Sequence, residues 1–569
     1  MDADLIIAGA GPVGMCAAIE AARRGVRVLV VEAGAADRPA DAKCNTVASR
    51  TLETLRRFGI AEDVRNAGLP DDYPTDVIYA SSIAGPEFTR IGLPSRAERR
   101  AERFPKAFPD AAWRTPEPFV RVSQIYLNPI LARRMRATPG IEVRYDTEVL
   151  GYTQDADSVS VAVRAHDGSE RTLTSRYLIG ADGGRSVIRH AMGVRLQGDA
   201  ELARMRSTLV RAPGLKALFA DRRPAWMSWV VNHQVRGVVV AIDGGDTWLL
   251  HRQLPEGTTD YEALDLHGSI RDLLGVDAGF AYEVLHHEDW IGRRLVASRF
   301  RDGRVFLAGD AAHLWVPFAG YGMNAGIADG VSIAWLIANV LEGWAGPAML
   351  DAYEAERQPI TEQVSRLAMQ SMLDTIDTMG KGAVPAALGS RYNPAGIALR
   401  KVMGTKLHKL NVPQFAPEGL NFGYYYEGSP VIAFDGEPAP AYTMGHAVPS
   451  TVPGCRMPHF WLGPGDSVYD HLGPVYTLLR FDPSVAVDAL LTAARDARMP
   501  LEVLDVPARS DDPAFRHALL IVRQDQHVAW RGQRVPASAA EVAALVDKLC
   551  GRVPVAESST TTTTQAAAA

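Results

Sequence analysis

The first glycines of this 569-residue chain are spaced as dinucleotide binding requires. Gly9-Ala10-Gly11-Pro12-Val13-Gly14 follows the apolar run DLIIA and precedes a helix-forming segment. In this GxGxxG pattern, the glycines permit a tight turn, close approach of a pyrophosphate, and packing of helix on strand. The helix N-terminus would offer free N–H groups and partial positive charge to phosphates. Glu32, followed by Ala33, ends the next apolar run and would accept hydrogen bonds from an adenosine ribose. The motif alone does not separate FAD from NAD.

The elements around this motif predict a βαβ unit, with strands at 4–8 and 26–32 and a helix at 12–24. Residues 141–163 alternate like hairpin strands, and 205–255 contain further strand-like runs. Residues 304–308 read as a strand, followed by two long helices near 323–342 and 351–375. After residue 453 a β-α-β-β-β-α order predicts a small α/β domain.

This pattern predicts a domain organisation of interleaved segments. We expect a nucleotide-binding domain in three parts and an inserted sheet domain in two, then a linker region, a C-terminal domain and a disordered tail. The nucleotide-binding domain comprises residues 1–72, 121–190 and 296–375, and the sheet domain comprises 73–120 and 191–295. The linker region spans 376–450, the C-terminal domain 451–552 and the tail 553–569.

Composition excludes several functional classes. The formal charge of −6 comes with no basic stripe, which argues against nucleic-acid binding. The four cysteines contain no CxxC pair, so the sequence predicts neither a disulfide framework nor a metal site. We expect no signal peptide and no membrane span, and therefore a cytoplasmic protein.

Three separated segments resemble the fingerprints of the class A FAD-dependent aromatic hydroxylases, the family of para-hydroxybenzoate and phenol hydroxylases. They are the GAGPVG motif with Glu32, the segment from Gly180-Ala181-Asp182-Gly183 to Arg185, and Gly309-Asp310 continuing through Pro317 to Gly320-Tyr321-Gly322-Met323-Asn324. The resemblance implies an α/β and α+β fold: a Rossmann-like FAD-binding domain of the para-hydroxybenzoate hydroxylase type with an inserted β-sheet substrate domain. Residues 454–459 and 528–532 resemble the thioredoxin-like C-terminal domain of phenol-hydroxylase relatives.

The resemblance also implies roles for single residues. Asp310 would bond a ribityl hydroxyl, and Gly322 and Met323 would open a helix whose N–H groups face the flavin. Pro317 would lie against the isoalloxazine. Further FAD or cofactor contacts are implied at Arg50, Gln124, Asp182, Arg185, Gly309, Gly320 and Asn324. Three positions depart from the common pattern of the family: Lys43, Asn128 and Ala319.

Aromatic residues supply the candidate substrate pocket. Trp226 and Trp229, with Phe318, would line it, and Trp248 and Trp290 are further candidates, although strand aromatics commonly belong to a core. We interpret His313, directly after GDAA, as structural rather than as an acid or base.

The implied activity is hydroxylation of a phenolic or polycyclic aromatic by NAD(P)H and O2 through a flavin C4a-hydroperoxide, in a monomer or homodimer. Alternatives are Baeyer–Villiger oxygenation by the same intermediate, or a flavin oxidoreductase that inserts no oxygen. A non-catalytic binding protein that keeps the nucleotide fold is a third class.

Overall fold

The computed structural model describes residues 1–39, 43–101, 107–255, 257–315, 320–379 and 384–552. The strands within these ranges are β1 (Leu5–Ala8), β2 (Val28–Val31), β3 (Val77–Ala80), β4 (Glu87–Ile91), β5 (Ile141–Arg144), β6 (Thr147–Gln154), β7 (Val159–Ala165), β8 (Glu170–Ser175), β9 (Tyr177–Gly180), β10 (Leu196–Arg211), β11 (Met227–Val231), β12 (Arg236–Ala241), β13 (Thr247–Gln253), β14 (Glu283–Ala297), β15 (Arg301–Asp302), β16 (Val305–Leu307), β17 (His313–Leu314), β18 (Trp461–Gly463), β19 (Asp466–Ser467), β20 (Tyr476–Arg480), β21 (Leu501–Asp505), β22 (Leu519–Arg523) and β23 (Val528–Gly532).

The α-helices within the same ranges are α1 (Pro12–Ala22), α2 (Ser49–Arg57), α3 (Ala61–Asn66), α4 (Arg96–Arg100), α5 (Gln124–Arg136), α6 (Val187–Ala191), α7 (Leu266–Leu274), α8 (Gly322–Leu341), α9 (Ala348–Met379), α10 (Pro394–Phe415), α11 (Glu418–Phe422), α12 (Asp488–Asp496) and α13 (Ala539–Leu549).

The nucleotide-binding domain is built on a six-stranded sheet of order β15-β16-β9-β1-β2-β5. Its strands pair in parallel except for the β15–β16 hairpin. The four residues of β1 and of β2 are all buried, as parallel strands covered on both faces must be. The sequence predicted hairpin strands over 141–163, but β5 instead pairs in parallel with β2, and only β6 and β7 form the hairpin.

A second sheet of eight strands, in the order β17-β14-β10-β13-β12-β11-β3-β4, forms the inserted domain. Its pairs are antiparallel except β11 with β3. Side chains therefore alternate between two faces, and one face turns toward the nucleotide-binding domain.

The region predicted as a linker over 376–450 contains α10, a helix of 22 residues. Gly404 lets this helix approach β4, because a Cβ there would lie 2.2 Å from the carbonyl oxygen of Phe88. Leu407 is fully buried, and Asn411 accepts a hydrogen bond of 3.0 Å from the Thr375 hydroxyl of α9. Gly404 thus serves close packing of this helix.

Helix α8 packs against α1 and α9. Among the described residues it is the one helix whose length and mean hydropathy of 1.3 would suit a membrane span, and 83% of its apolar window is buried inside the fold. Gly326 and Gly330 bring it against α1, where a Cβ would lie 2.8 Å from atoms of Val13. This is the packing of a core helix.

The C-terminal domain is a four-stranded sheet of order β21-β20-β22-β23 with α12 and α13. Buried charges join it to the rest of the molecule. Arg523 on β22 forms a bidentate pair with Glu356 of α9 at 2.6 and 2.9 Å, and both side chains are 0% exposed.

A second buried carboxylate lies at the same interface. Glu20 of α1 contacts Arg24 at 2.9 Å and Arg57 at 3.2 Å, and accepts a 3.2 Å hydrogen bond from Gln524 Nε2. Burial acts to raise the pKa of Glu20, but the two arginines and Gln524 outweigh it and lower this pKa to about 2. The carboxylate is therefore charged at neutral pH and ties the C-terminal domain to the nucleotide-binding domain.

Candidate active site

A cavity of about 1030 Å³ lies between the carboxyl ends of the parallel strands and one face of the eight-stranded sheet. Gly11, Glu32, Ala181 and Ala308 line one end of it, directly after β1, β2, β9 and β16. Ligands of open α/β sheets bind at this edge of the strands. The predicted motifs therefore converge on one site.

The glycines of the first motif have distinct structural requirements. Gly9 has φ of +104°, and a Cβ there would lie 2.4 Å from the Ala181 carbonyl oxygen. A Cβ at Gly14 would lie 2.0 Å from the carbonyl oxygen of Gly9, so α1 could not pack as it does. Gly11, in contrast, has no atom within 4 Å of its Cβ position and faces the cavity. The fold needs Gly9 and Gly14, while the space beside Gly11 is open to the cavity.

Glu32 is fixed beside this turn by the backbone. Its Oε2 accepts a 2.7 Å hydrogen bond from the Ala10 N–H, and its Oε1 accepts one of 2.8 Å from Gly34. Pro12 and Val13 also line the cavity, whereas Ala33 is exposed and lies outside the lining set. The carboxylate is thereby held in a fixed orientation at the cavity wall.

The second motif divides between lining and structural positions. Gly183 lines the cavity, but Asp182 caps α6 by accepting a 3.1 Å hydrogen bond from the Ile188 N–H. Arg185 is exposed and does not line the cavity. Asp182 Oδ1 is buried with no hydrogen-bond partner among the described residues.

The third motif supplies the centre of the cavity. Asp310 lines it, and burial raises the pKa of this carboxyl. Gly309 has φ of +60°, and a Cβ there would meet Val13 at 2.9 Å, so this glycine serves close packing. Gly320, Gly322 and Met323 line the cavity where α8 begins. Pro317, Phe318 and Ala319 lie outside the described residues.

Asn324 does not line the cavity but holds the start of α8 in place. Its Oδ1 accepts hydrogen bonds from the Ala48 N–H at 2.9 Å and the Thr51 hydroxyl at 2.8 Å. Its Nδ2 donates to the carbonyl oxygens of Thr46 at 3.0 Å and Gly320 at 2.8 Å. The side chain thus aims the N-terminus of α8 at the cavity.

His313 takes part in a buried ion network under the same helix. Its Nε2 lies 2.7 Å from Asp329 Oδ2, and Arg357 Nε donates to Asp329 Oδ1 at 2.8 Å. Burial acts to raise the pKa of Asp329, but Arg357 and His313 lower it overall. This placement, 1% exposed and outside the cavity, agrees with a structural role for His313.

Arg50 lies apart from the predicted phosphate site. Its guanidinium donates a 2.9 Å hydrogen bond to the Asp525 carbonyl oxygen and lies 5.4 Å from the ring centre of Tyr424. It does not line the cavity, and the phosphate contact stays a prediction. Gln124 at the start of α5 does line it, as does Asn128, whose buried Oδ1 has no partner among the described residues.

The face of the eight-stranded sheet forms the opposite wall. Trp226, Trp229 and Trp290 line the cavity, while Trp248 is 1% exposed in the core. Trp229 stacks on Tyr79 with ring centres 5.9 Å apart.

Sequence reasoning missed several polar residues of this wall, among them Ser207, His251 and Gln253. No polar–apolar alternation marks them in the sequence, since Arg206-Ser207-Thr208 and His251-Arg252-Gln253 are both continuous polar runs.

Arg121 was also missed. Its guanidinium lies 3.9 Å from the Trp226 ring centre and 4.5 Å from that of Phe119. It donates to the Thr46 hydroxyl at 2.8 Å and the Phe415 carbonyl at 3.3 Å, and no carboxylate among the described residues pairs with it. Burial lowers the pKa of Arg121 to about 9, which keeps it charged at neutral pH. The cavity therefore contains a fixed positive charge beside aromatic rings.

Comparison with known families agrees with this geometry. The FAD-binding domain family matches residues 2–368, and the family of aromatic-ring hydroxylase C-terminal domains matches residues 450–553.

Whole-length relatives and solved structures give the same result. FAD-dependent monooxygenase apdD of Emericella nidulans is 31% identical over 93% of this chain and 88% of its own. 2,4-Dichlorophenol 6-monooxygenase of Cupriavidus pinatubonensis is 29% identical over 97% of each chain. The rebeccamycin biosynthetic enzyme RebC, solved with reduced flavin, superposes with a TM-score of 0.84 at 32% identity, covering 97% of this chain and 99% of its own. The chain therefore belongs to the FAD-dependent aromatic-ring hydroxylases and is a flavoprotein monooxygenase.

Proposed function

We propose that this protein uses NAD(P)H and O2 to hydroxylate a phenolic or polycyclic aromatic substrate. The observation that carries the proposal is one continuous cavity, which joins the GAGPVG turn to a tryptophan-lined sheet face through the start of α8. A cofactor bound along the first part would bring its reactive end to a substrate bound along the second.

The chain's residues fit FAD at the first part. Gly11 leaves open space for a pyrophosphate beside the N-terminus of α1, and Glu32 is oriented toward an adenosine ribose. Gln124 and Asn128 face the same region, and the unpartnered Asn128 Oδ1 can accept a hydrogen bond from the cofactor. We place Asp310 on the ribityl hydroxyls and Gly320–Met323 against the flavin ring.

The bound flavin supplies the redox and oxygen-transfer chemistry, and the protein supplies position, enclosure and electrostatics. The N-terminus of α8 carries partial positive charge and free N–H groups, which stabilise negative charge at the cofactor's reacting end by about 1 kcal/mol or more. Asn324 fixes the direction of that helix end through four hydrogen bonds. The His313–Asp329–Arg357 network fixes the first turns from below.

The second part of the cavity suits an aromatic substrate that carries an acidic or electron-rich oxygen. Trp226, Trp229 and Trp290 provide flat apolar surface, and Arg121 provides a cation near the junction of the two parts. We propose that Arg121 draws the anionic form of a phenol or a substrate carboxylate toward the flavin end.

The C-terminal domain is proposed to be thioredoxin-like. Its β20-α12-β21-β22-β23-α13 order and mixed four-stranded sheet support this assignment. Cys455 and Cys550 are its cysteines and both are unpaired, so we assign it no dithiol exchange. The buried Arg523–Glu356 pair supports a role as a cap on the FAD domain. We further propose a cytoplasmic monomer or homodimer.

The function is tested by mixing FAD-loaded protein with NADPH or NADH under anaerobic conditions, with and without a panel of phenols. The proposal expects a phenol to accelerate flavin reduction and, after O2 is admitted, to gain one oxygen atom. A matched control uses the methyl ethers of the same phenols, which should react less. Reduction that no aromatic affects, with no oxygenated product, would contradict the proposal.

A further inference from the structure

Three polar side chains from three different strands meet on the cavity face of the eight-stranded sheet. Ser207 of β10 lies opposite His251 of β13 in the strand register. Ser207 Oγ is 2.7 Å from His251 Nδ1 and accepts a 2.6 Å hydrogen bond from the indole Nε1–H of Trp290 on β14. All three residues line the cavity.

The donors and acceptors available in these three side chains determine which atom donates each hydrogen bond. An indole N–H can only donate, so Trp290 donates to Ser207 Oγ. The Ser207 hydroxyl proton then has one acceptor within reach among the described residues, His251 Nδ1. If Nδ1 instead carried a proton, the hydroxyl proton of Ser207 would have no acceptor within the part of the chain that the structure describes. The satisfied arrangement therefore places the imidazole proton on Nε2.

His251 is neutral in this arrangement, because burial lowers its pKa to about 4. On the neighbouring strands, the charged residues that line the same cavity are Arg236, two residues before the Val238 that pairs with His251, and Glu288, opposite Ser207 and 3.7 Å from Lys43. His251 Nε2 has no hydrogen bond to the described residues and is not closed off from the cavity. An N–H donor is thus available to a bound molecule.

We propose that Trp290, Ser207 and His251 form a one-way donor chain that ends on a substrate oxygen, with His251 Nε2–H donating to a phenolate or carbonyl oxygen. This inference rests on the proposed function and adds the recognition of one substrate group. His251 contacts the substrate, while Ser207 and Trp290 are positioning residues that act through it.

The donor chain of Trp290, Ser207 and His251 favours the anionic form of a phenol. Each bond polarises the next, so the terminal N–H becomes a better donor to negative charge. His251 does not accept the phenol proton, because Nδ1 already accepts from Ser207 and Nε2 already carries a proton. The proton released when the phenolate forms goes to solvent. A more electron-rich phenolate is also the better substrate for oxygen transfer.

The test measures the ionisation of 4-nitrophenol bound to the FAD-loaded protein, by the absorbance of its phenolate as a function of pH. Wild-type protein should bind the phenolate in preference and lower the pKa of the bound ligand below that of free 4-nitrophenol. Ser207→Ala and His251→Phe should each weaken phenolate binding about tenfold or more, since hydrogen bonds to charged groups are the strong ones. Binding of 4-nitroanisole, which has no ionisable oxygen, should change little.

Two further variants separate recognition from folding. His287→Gln changes an exposed histidine of β14 outside the cavity and should leave the ligand's pKa unchanged. Trp290→Phe removes the first donor and should shift the pKa of the bound ligand in the same direction as Ser207→Ala does. The test therefore stays decisive if Ser207→Ala does not fold.

The proposal is overturned if bound 4-nitrophenol has the same pKa as in water. It is also overturned if no substitution at Trp290, Ser207 or His251 changes the pKa of the bound ligand. Because no turnover is needed, a retained shift with no oxygenated phenol would refute the proposed function and leave this inference standing.

Discussion

Replacing Gly11 by alanine should weaken FAD binding without removing the fold. The Cβ position at Gly11 has no atom within 4 Å, and its φ of −70° and ψ of 176° suit any residue. Alanine is a poorer helix N-cap than glycine, but it also restricts the unfolded chain. The two effects offset, and the unfolding free energy of the apoprotein should change by no more than about 1 kcal/mol.

The added methyl group occupies the space assigned to the pyrophosphate. Forcing an extra methyl into a filled site costs about 1–3 kcal/mol, which corresponds to a loss of about fivefold to a hundredfold in FAD affinity. Flavin fluorescence during titration of the apoprotein measures the affinity, and thermal unfolding of the same sample measures the stability.

Gly14→Ala is the matched control, since its Cβ would lie 2.0 Å from the Gly9 carbonyl oxygen. This variant should lower the apoprotein melting temperature itself. Wild-type FAD affinity in Gly11→Ala, or a loss of apoprotein stability as large as that in Gly14→Ala, would refute the reasoning.

Three further predictions concern the buried charges and the aromatic wall. Burial acts to raise the pKa of Glu20, but its two arginines lower it from the usual 4.5 to about 2. The Glu20 carboxylate therefore stabilises the fold fully above about pH 4.5, and this stabilisation is lost as the pH falls through about 2. The pKa shift corresponds to about 3 kcal/mol of stability. In Glu20→Gln, the free energy of unfolding, measured by urea denaturation, should therefore fall less steeply as the pH is lowered. Asp329→Asn leaves a buried arginine unpaired and should cost about 3–5 kcal/mol in chemical unfolding, whereas His313→Gln should cost less. Trp229→Ala should weaken the binding of an aromatic ligand by about 1 kcal/mol, measured by calorimetric titration, while FAD affinity stays unchanged.

The parts that the sequence predicts well are local. The βαβ unit and the three strand-end motifs each depend on neighbours within a few residues, so composition and spacing suffice to find them. Glu32 and Asp310 both line the cavity because a parallel strand delivers its carboxyl end to a known edge of the sheet.

The rest depends on contacts between distant segments. Ser207, His251 and Trp290 meet because of the registers of β10 with β13 and with β14, which no single strand encodes. Arg50 has a plausible local motif, but the C-terminal domain supplies the Asp525 carbonyl that takes its guanidinium. The sequence did not predict α10 because of its two glycines, of which Gly404 packs against the backbone of β4 and Gly396 against that of Ala387.

The central claim is that the cavity joins a flavin to an aromatic substrate so that oxygen passes from O2 to the ring. The most direct measurement is the mass of the product formed by FAD-loaded protein, NADPH and a phenol under isotopically labelled O2. The account predicts a product that gains one labelled oxygen atom as a ring hydroxyl. A substrate that loses hydrogen without gaining oxygen, or a hydroxyl that carries no label, would contradict it.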